Sequence, residues 1–146
     1  MRVLGIDYGR VRVGLALSDE EEILASPLPT LARSHRDVDE IARLAREREV
    51  GCIVVGLPLL MNGTDGTMAE EARAFAARIE DRTHLPVDLL DERWTSSEAE
   101  RVMLEGNLSR ERRKELRDGL SAVLILQAYL ARRRADPDLR PLGGEV

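Results

Sequence analysis

Apolar and polar positions alternate with a period of two near the start of the chain. Residues 2–7 and 12–18 each predict a strand, and the stretch between them predicts the tight turn of a hairpin. A third, shorter strand is predicted within 23–32. Residues 52–57 form a continuous apolar run rich in β-branched side chains, which is typical of a central parallel strand. A last strand is predicted at 87–91.

Helical periodicity separates the later strands. Apolar residues spaced three and four apart predict one helix that begins near Asp37 and another over about 67–82. A third helix is predicted over about 96–105. The basic stretch 110–117 is interpreted as a loop or short helix, and a deeply packed last helix is predicted over about 118–133. This order of elements predicts an α/β domain with a mixed sheet and helices on both faces.

The length of 146 residues fits one domain of common size. We expect that domain to span residues 1–134, and we expect residues 135–146, with their prolines and glycines, to form a flexible tail. Neither a signal peptide nor a membrane-spanning stretch is apparent, so a cytoplasmic protein is expected. Cys52 lies in an apolar run and is interpreted as a small buried hydrophobe.

A net charge of −5 argues against a protein that coats DNA through a generally basic surface, but it allows a local basic patch. Five of the eight residues in 110–117 are basic: Arg110, Arg112, Arg113, Lys114 and Arg117. Such a run is usually a solvated face, yet it could instead bind a nucleic-acid backbone. Aromatic residues are scarce, and only Tyr8 and Trp94 are candidates for stacking on bases.

Three acidic residues stand at the ends of predicted elements. Asp7 closes the first strand, and Asp118 opens the final helix. Glu92, or its neighbour Asp91, closes the last strand. Acids that are buried together repel one another and raise one another's pKa. One or two Mg²⁺ or Mn²⁺ ions would relieve that repulsion, and such ions activate water for phosphodiester cleavage.

Each acid also has a plain structural interpretation. Asp7 could cap the hairpin turn, and Asp118 could be only a helix N-cap. Asp91 and Glu92 could be turn acids with no further role. Because strand residues alternate between faces, Asp91 and Glu92 point to opposite sides of the sheet, and only one of them is expected to join Asp7. If the first and last strands both lie near the sheet centre, Asp7 and Glu92 can converge.

The segment 56–66 follows the central strand and precedes a helix, which is where ligands bind in α/β sheets. Its glycines and Thr64 would let backbone amides meet a phosphate near the helix N-terminus, although the spacing is not that of a P-loop. A loop with turn glycines is the alternative. Arg12 and Arg93 neighbour the acids in sequence, and each either binds phosphate or balances the carboxylates.

Four blocks of the chain resemble the YqgF/RuvX family of the ribonuclease H-like superfamily, whose relatives are the RuvC Holliday-junction resolvases. The blocks are DYGRVRVGLALSD at 7–19, VGLPLLMNGTDG at 55–66, DERWTSSEAE at 91–100 and DGLSAVLILQAYL at 118–130. The resemblance implies a ribonuclease H-like fold, in which three antiparallel strands precede the parallel strands of a five-stranded sheet. It also implies a divalent-metal site and nuclease activity on structured nucleic acid, in precursor rRNA processing or Holliday-junction resolution.

By position, the resemblance places the family's catalytic and metal-binding triad on Asp7, Glu92 and Asp118. Its other motif positions fall on Arg12, Gly14, Ser18, Asn62, Gly63, Thr64 and Arg93. Together with the basic stretch, this predicts nucleic-acid contacts from Arg12, Asn62, Thr64, Arg93, Arg110, Arg113 and Lys114. The expected cofactor is one or two Mg²⁺ or Mn²⁺ ions. The expected partner is structured RNA or branched DNA, and cleavage of a symmetric junction would favour a homodimer.

Two other functions remain open from the sequence. The segment from Gly5 to Gly9 also resembles the first phosphate loop of actin-like ATPases and sugar kinases, which use two such domains where this chain has room for one. That function predicts tight ATP binding without nuclease activity. A non-catalytic RNA-binding or ribosome assembly factor is the third hypothesis, and it predicts that Asp7 and Glu92 are dispensable.

Overall fold

The computed structural model describes residues 1–58, 66–92 and 110–136, without the side chains of 110–118. Its elements are β1 (Arg2–Asp7), β2 (Arg12–Ser18), β3 (Ala25–Ala32), α1 (Asp37–Glu47), β4 (Val50–Leu57), α2 (Thr67–Thr83), β5 (Val87–Asp91) and α3 (Arg110–Ala135). The five predicted strands and the first two predicted helices are confirmed, but the prediction that the third strand is shorter is wrong, because β3 has 8 residues against 6 in β1 and 7 in β2. The predicted helix at 96–105 and residues 137–146 of the predicted tail lie outside the described residues. Within the described part of the chain, every helix is too short or too polar to cross a membrane.

The strands form one mixed sheet in the order β3-β2-β1-β4-β5. The first three strands are antiparallel neighbours, β4 is parallel to β1, and β5 is parallel to β4. This confirms the predicted strand directions. The condition that the last strand lies near the centre is wrong, because β1 already pairs with β2 and β4 and leaves β5 only the outer edge of β4.

Helices cover both faces of the sheet, as predicted. On one face, which we call the α1/α2 face, strand residues such as Leu4 pack with side chains of α1 and α2 such as Phe75. On the opposite α3 face, the alternate strand residues such as Val54 pack with Leu126 and its neighbours on α3. Cys52 lies buried on the α3 face, which confirms its interpretation as a core residue.

Gly5 lets α3 approach the central strand closely. A Cβ atom at this position would lie 2.8 Å from Cβ of Leu126 and 3.1 Å from the carbonyl oxygen of Ala122. A glycine inside a strand often marks such a close approach between a backbone and its neighbour. The absence of a side chain at Gly5 therefore sets the distance between α3 and β1.

The last helix begins at Arg110, so the prediction of its start at Asp118 is wrong. Arginine, lysine and glutamate are good helix formers, and they extend α3 through the basic stretch 110–117. Gly119 does not end the helix, because an interior glycine costs only about 1 kcal/mol relative to alanine. Asp118 is therefore an interior residue of α3, and its interpretation as a helix N-cap is also wrong.

Candidate active site

The candidate site lies on the α3 face, where β1, β4 and β5 end. Asp7 is the last residue of β1 and alternates in step with Val3, which packs against α3. Glu92 directly follows β5 and alternates in step with Leu90, which packs on the same face. Asp91 alternates with Leu89, on the α1/α2 face. The expectation that only one of the two neighbouring acids joins Asp7 agrees with this alternation.

Asp7 and Glu92 meet across β4, and their side chains share a hydrogen bond. The strand between them presents Gly56 at this point. A Cβ atom there would lie 2.9 Å from both Cγ and Oε1 of Glu92, and 2.4 Å from Cδ1 of Ile125 on α3. The missing side chain thus provides the space in which Glu92 reaches over β4. On the other side of β1, Asp7 pairs in register with Gly14 of β2.

The environment of Glu92 opposes its ionisation. Burial raises the pKa of Glu92 to about 8, and the hydrogen bond with Asp7 and the negative charges of Asp7 and Asp91 act in the same direction. The raised pKa of Glu92 favours a proton shared between the two carboxyl groups. This is how two acids held close together behave when only one of them can ionise.

The oxygen donors of this pair fit a hard divalent cation. Mg²⁺ and Mn²⁺ prefer carboxylate oxygens, and a cation that binds here would displace the proton that the two acids share. Among the residues whose side chains are described, no group of three or more potential metal ligands forms. The side chain of Asp118 is outside that set. The structure thus brings together Asp7 and Glu92, and the membership of Asp118 stays a prediction.

Of the predicted nucleic-acid contacts, Arg12 is the one whose side chain is described. It is the first residue of β2, is exposed, and alternates in step with Gly14, the register partner of Asp7. Arg110, Arg113 and Lys114 belong to the first turns of α3. Their side chains, and all of Asn62, Thr64 and Arg93, lie outside the described residues.

Two further residues singled out from the sequence have structural roles. Ser18 is buried, and its hydroxyl accepts a hydrogen bond from the Val3 amide at 2.8 Å and donates one to the Asp19 carbonyl at 2.9 Å. The ring of Tyr8 packs on the α1/α2 face, 5.2 Å from the ring of Phe75. Tyr8 is therefore a packed residue rather than a free stacking platform, and Trp94 lies outside the described residues.

Sequence reasoning missed the role of Gly56, which it assigned to the loop after the central strand. The signal was present, because a glycine that interrupts an apolar strand run indicates a close approach. It also missed Arg33 and Asp37, a buried ion pair behind the β1–β2 turn with an Nε–Oδ2 distance of 2.7 Å. The two residues are only four apart in sequence, but no motif marks their role, since the contacts of Arg33 with Gly9 and Val11 depend on how β3 lies beside β2.

The fold is that of the ribonuclease H-like resolvases. T. thermophilus RuvC, solved in complex with a Holliday junction substrate, superimposes with a TM-score of 0.61 at 17% identity, over 97% of this chain and 99% of that one. The fowlpox virus Holliday junction resolvase gives a TM-score of 0.55 at 10% identity, over 90% of this chain and 99% of that one. The predicted fold class is therefore confirmed.

Sequence comparison then identifies the family. The family model described as "RuvX: Holliday junction resolvase" matches residues 1–132. A "Putative pre-16S rRNA nuclease" of Koribacter versatilis is 47% identical, over 92% of this chain and 90% of the relative. A protein of the same name in Listeria innocua is 44% identical, over 89% of this chain and 97% of the relative. The chain belongs to the RuvX family of nucleases, which confirms the resemblance seen in the sequence.

Proposed function

We propose that this chain is a divalent-metal-dependent endonuclease that hydrolyses phosphodiester bonds in structured RNA, with precursor 16S rRNA as its substrate. The observation that carries the proposal is the meeting of the Asp7 and Glu92 side chains beside Gly56, at the ends of the strands. The RNA substrate is supported by the names of relatives that are 47% and 44% identical. Such processing would take place in the cytoplasm.

The proposed site uses Asp7, Glu92 and Asp118 as ligands of Mg²⁺ or Mn²⁺. The bound ion supplies Lewis-acid activation of the phosphodiester and of the attacking water. Asp7 and Glu92 would release their shared proton to solvent when a cation binds, and their carboxylate oxygens would then be available as ligands. Because Glu92 lies close to Gly56 of β4 and burial raises its pKa, its carboxylate would interact in a partly desolvated environment, where electrostatic effects are stronger than in water.

The substrate backbone would be held by cationic side chains beside the acids. Arg12 is exposed on β2 near the end of β1, and its guanidinium suits phosphate contacts. Arg110, Arg113 and Lys114 on the first turns of α3, with Asn62, Thr64 and Arg93, complete the proposed contact surface. Contacts of this kind position a nucleic acid without reading its sequence, so selectivity would come from the shape of the RNA.

Cleavage of a labelled 16S rRNA precursor by the purified chain tests the proposal. We expect cleavage with Mg²⁺ or Mn²⁺, none in the presence of a chelator, and none by Asp7→Asn or Glu92→Gln. Asp91→Asn is the matched control, because Asp91 is adjacent to Glu92 but faces the opposite side of the sheet. Cleavage by Asp7→Asn at the wild-type rate would contradict the proposal and favour the non-catalytic assembly factor.

Branched DNA is the second candidate substrate, because the matching family model is described as a Holliday junction resolvase. A four-way junction needs two symmetric cuts, so this candidate requires a homodimer. The same assay with a synthetic four-way junction, combined with sedimentation of the free chain and of the complex, distinguishes the two substrates. Paired cuts by a dimer would favour the junction, and cleavage of RNA alone by a monomer would exclude it.

A further inference from the structure

A cluster of charged and aromatic side chains lies behind Asp7, on the α1/α2 face. We call it the Arg33 cluster, and it consists of Arg33, Asp37, Tyr8, Glu71 and Phe75. It surrounds residues 8–11, the turn that joins β1 to β2. The acids of the candidate site lie on the other face, so the cluster touches the turn without entering the site.

Arg33 contacts three of the four turn residues. Its backbone amide donates to the carbonyl of Val11 at 3.0 Å, and its Nη1 donates to the carbonyl of Gly9 at 3.0 Å. Its Cζ atom lies 4.8 Å from the ring centroid of Tyr8 and 4.9 Å from that of Phe75. The guanidinium can donate to Gly9 and stack on both rings at once because it is planar and carries several donors in a fixed arrangement.

Asp37 in turn holds Arg33 in place. Its Oδ2 atom accepts from Nε of Arg33 at 2.7 Å, and its side chain is only 1% exposed. It also accepts hydrogen bonds from the backbone amides of Val38 at 2.7 Å and Ser34 at 3.4 Å. Burial by itself would raise the pKa of Asp37, but Arg33 and these amides hold it below its usual value. The pair therefore stays ionised and well ordered.

Glu71 of α2 holds the side chains of Tyr8 and Arg10, and the backbone is tightly turned at Gly9. The hydroxyl of Tyr8 donates to Oε1 of Glu71 at 3.0 Å, and Nη2 of Arg10 donates to Oε2 of the same carboxylate at 2.7 Å. A Cβ atom at Gly9 would lie 2.4 Å from the carbonyl oxygen of Arg12, so the turn is too tight for a side chain there. Each of the turn residues 8–11 therefore makes at least one hydrogen bond with Arg33 or Glu71.

We infer that Arg33, held by Asp37, is a positioning residue for Asp7. By fixing Tyr8 and Gly9 on the α1/α2 face, Arg33 sets the direction in which the Asp7 carboxylate meets Glu92 on the α3 face. The inference rests on the proposed function, in which Asp7 is a metal ligand. Groups that orient metal ligands without touching the metal typically change metal affinity by about 10–100-fold when they are removed.

The substitution Arg33→Lys separates positioning from folding. A lysine keeps a positive charge beside Asp37, but it cannot also donate to Gly9 and stack on both rings. We therefore expect a thermal midpoint close to that of the wild type, with Mn²⁺ affinity of the full chain, measured calorimetrically, lowered by about tenfold. The matched control is Arg82→Lys, which alters an exposed pair with Asp39 and should change neither quantity. Wild-type Mn²⁺ affinity in Arg33→Lys would overturn the inference.

A metal-independent measurement distinguishes failure of this inference from failure of the proposed function. NMR relaxation dispersion of the backbone amides, recorded without metal, should show new exchange at Tyr8 and Gly9 in Arg33→Lys and none in Arg82→Lys. Unchanged dispersion would overturn the positioning role whatever the metal does. If the wild type itself bound no Mn²⁺ but the new exchange appeared, the metal site would be wrong and the action of Arg33 on the turn would stand.

Discussion

Asp37 is buried and Glu92 is half-buried, on opposite faces of the same sheet, and their pKa values move in opposite directions. Asp37 is surrounded by the Arg33 guanidinium and two backbone amides, which keep its pKa low. Glu92 is held against Asp7, a second acid, and its pKa is raised to about 8. On the α1/α2 face, Asp37 is stabilised by a cation and amides of the chain itself. On the α3 face, Asp7 and Glu92 repel each other, which lowers the stability of the fold.

The difference separates an acid that serves folding from the two acids of the proposed metal site. A buried carboxylate that is paired and hydrogen-bonded helps to order its surroundings. A pair of acids that must share a proton lowers the stability of the fold, and such local costs are typical of functional sites. The pairing of Asp7 and Glu92 therefore supports the proposed cation site, whereas Asp37 is stabilised by partners within the chain.

The strongest test of this comparison is loss of cleavage in Asp7→Asn and Glu92→Gln. Removing a group that only orients a metal ligand costs about 10–100-fold, so removing a ligand should lower the rate by more than about 100-fold. Single-turnover cleavage of the precursor RNA measures the effect. The Asp91→Asn control should stay within a few-fold of the wild type. Equal losses in Asp91→Asn and Glu92→Gln would contradict the assignment of the acids to different faces.

The pH dependence of stability should differ between the two acids. Glu92 has a folded-state pKa above its ordinary value of 4.5, so the folded protein holds a proton that the unfolded chain releases between these two pKa values. In a chelator, the thermal midpoint should therefore fall as the pH rises from about 5 to about 8. Asp37 has a lowered pKa, so its contribution is lost only under more acidic conditions, as the pH falls through that value.

Glu92→Gln and Mg²⁺ provide the controls for this pH effect. The variant cannot ionise at this position, so its midpoint should be less sensitive to pH over the same range and higher than that of the wild type at the alkaline end. Mg²⁺ should restore the wild-type midpoint mainly at the alkaline end, because it binds the deprotonated pair. A Glu92→Gln variant that loses as much stability as the wild type over this range would disprove the role of Glu92.

A third test concerns the structural acid. Breaking a buried ion pair costs about 3–5 kcal/mol, but Arg33 is 22% exposed, so we expect Asp37→Asn to lower the free energy of unfolding by about 2–3 kcal/mol. Chemical denaturation at neutral pH measures this change. The exposed pair of Arg82 and Asp39 supplies the control, and Asp39→Asn should cost less than about 1 kcal/mol. A negligible loss in Asp37→Asn would remove the contrast with Glu92.

Local patterns in the sequence predicted the strands well but not their spatial order. The alternation around Asp7 predicted β1 and β2 with the bounds that the structure shows. Whether β5 is central or at the edge depends on which edges of β1 are already occupied, and no local pattern carries that information. The predicted start of α3 is wrong because the basic stretch 110–117 is interpreted as a separate loop or short helix, whereas helix propensity continues through it.

The candidate site, like the fold, was predictable in its individual residues but not in all of its spatial contacts. Asp7 and Glu92 could be selected because an acid at the end of an apolar strand is conspicuous, and the structure places them together. A close approach at Gly56 could be predicted from a glycine inside an apolar strand, but its neighbour Glu92 could not, since that side chain comes from the end of the adjacent strand. The role of Arg33 could not be predicted from the sequence, because residues 8–11 become its neighbours only when β3 pairs with β2.

The mildest test of the comparison fills the space below Glu92. In Gly56→Ala, the new methyl group would lie 2.9 Å from Cγ and Oε1 of Glu92 and 2.4 Å from Cδ1 of Ile125. Both neighbours are ends of flexible side chains, so we expect the free energy of unfolding to fall by only about 1–2 kcal/mol. The displacement of Glu92 away from Asp7 should nevertheless weaken Mn²⁺ binding by about tenfold.

Gly51→Ala is the matched control for this substitution, because it introduces the same methyl group in the same strand. There the methyl would meet only the flexible side chain of Met1, with Sδ at 2.5 Å, at the opposite end of β4 from the acids. Calorimetric titration should therefore give wild-type Mn²⁺ affinity for Gly51→Ala, even where its loss of stability matches that of Gly56→Ala. Equal affinities in the two variants would mean that the gap at Gly56 serves the packing of α3 and not the placement of Glu92. The only remaining difference between the two faces would then be the charge of the groups around Asp37 and Glu92.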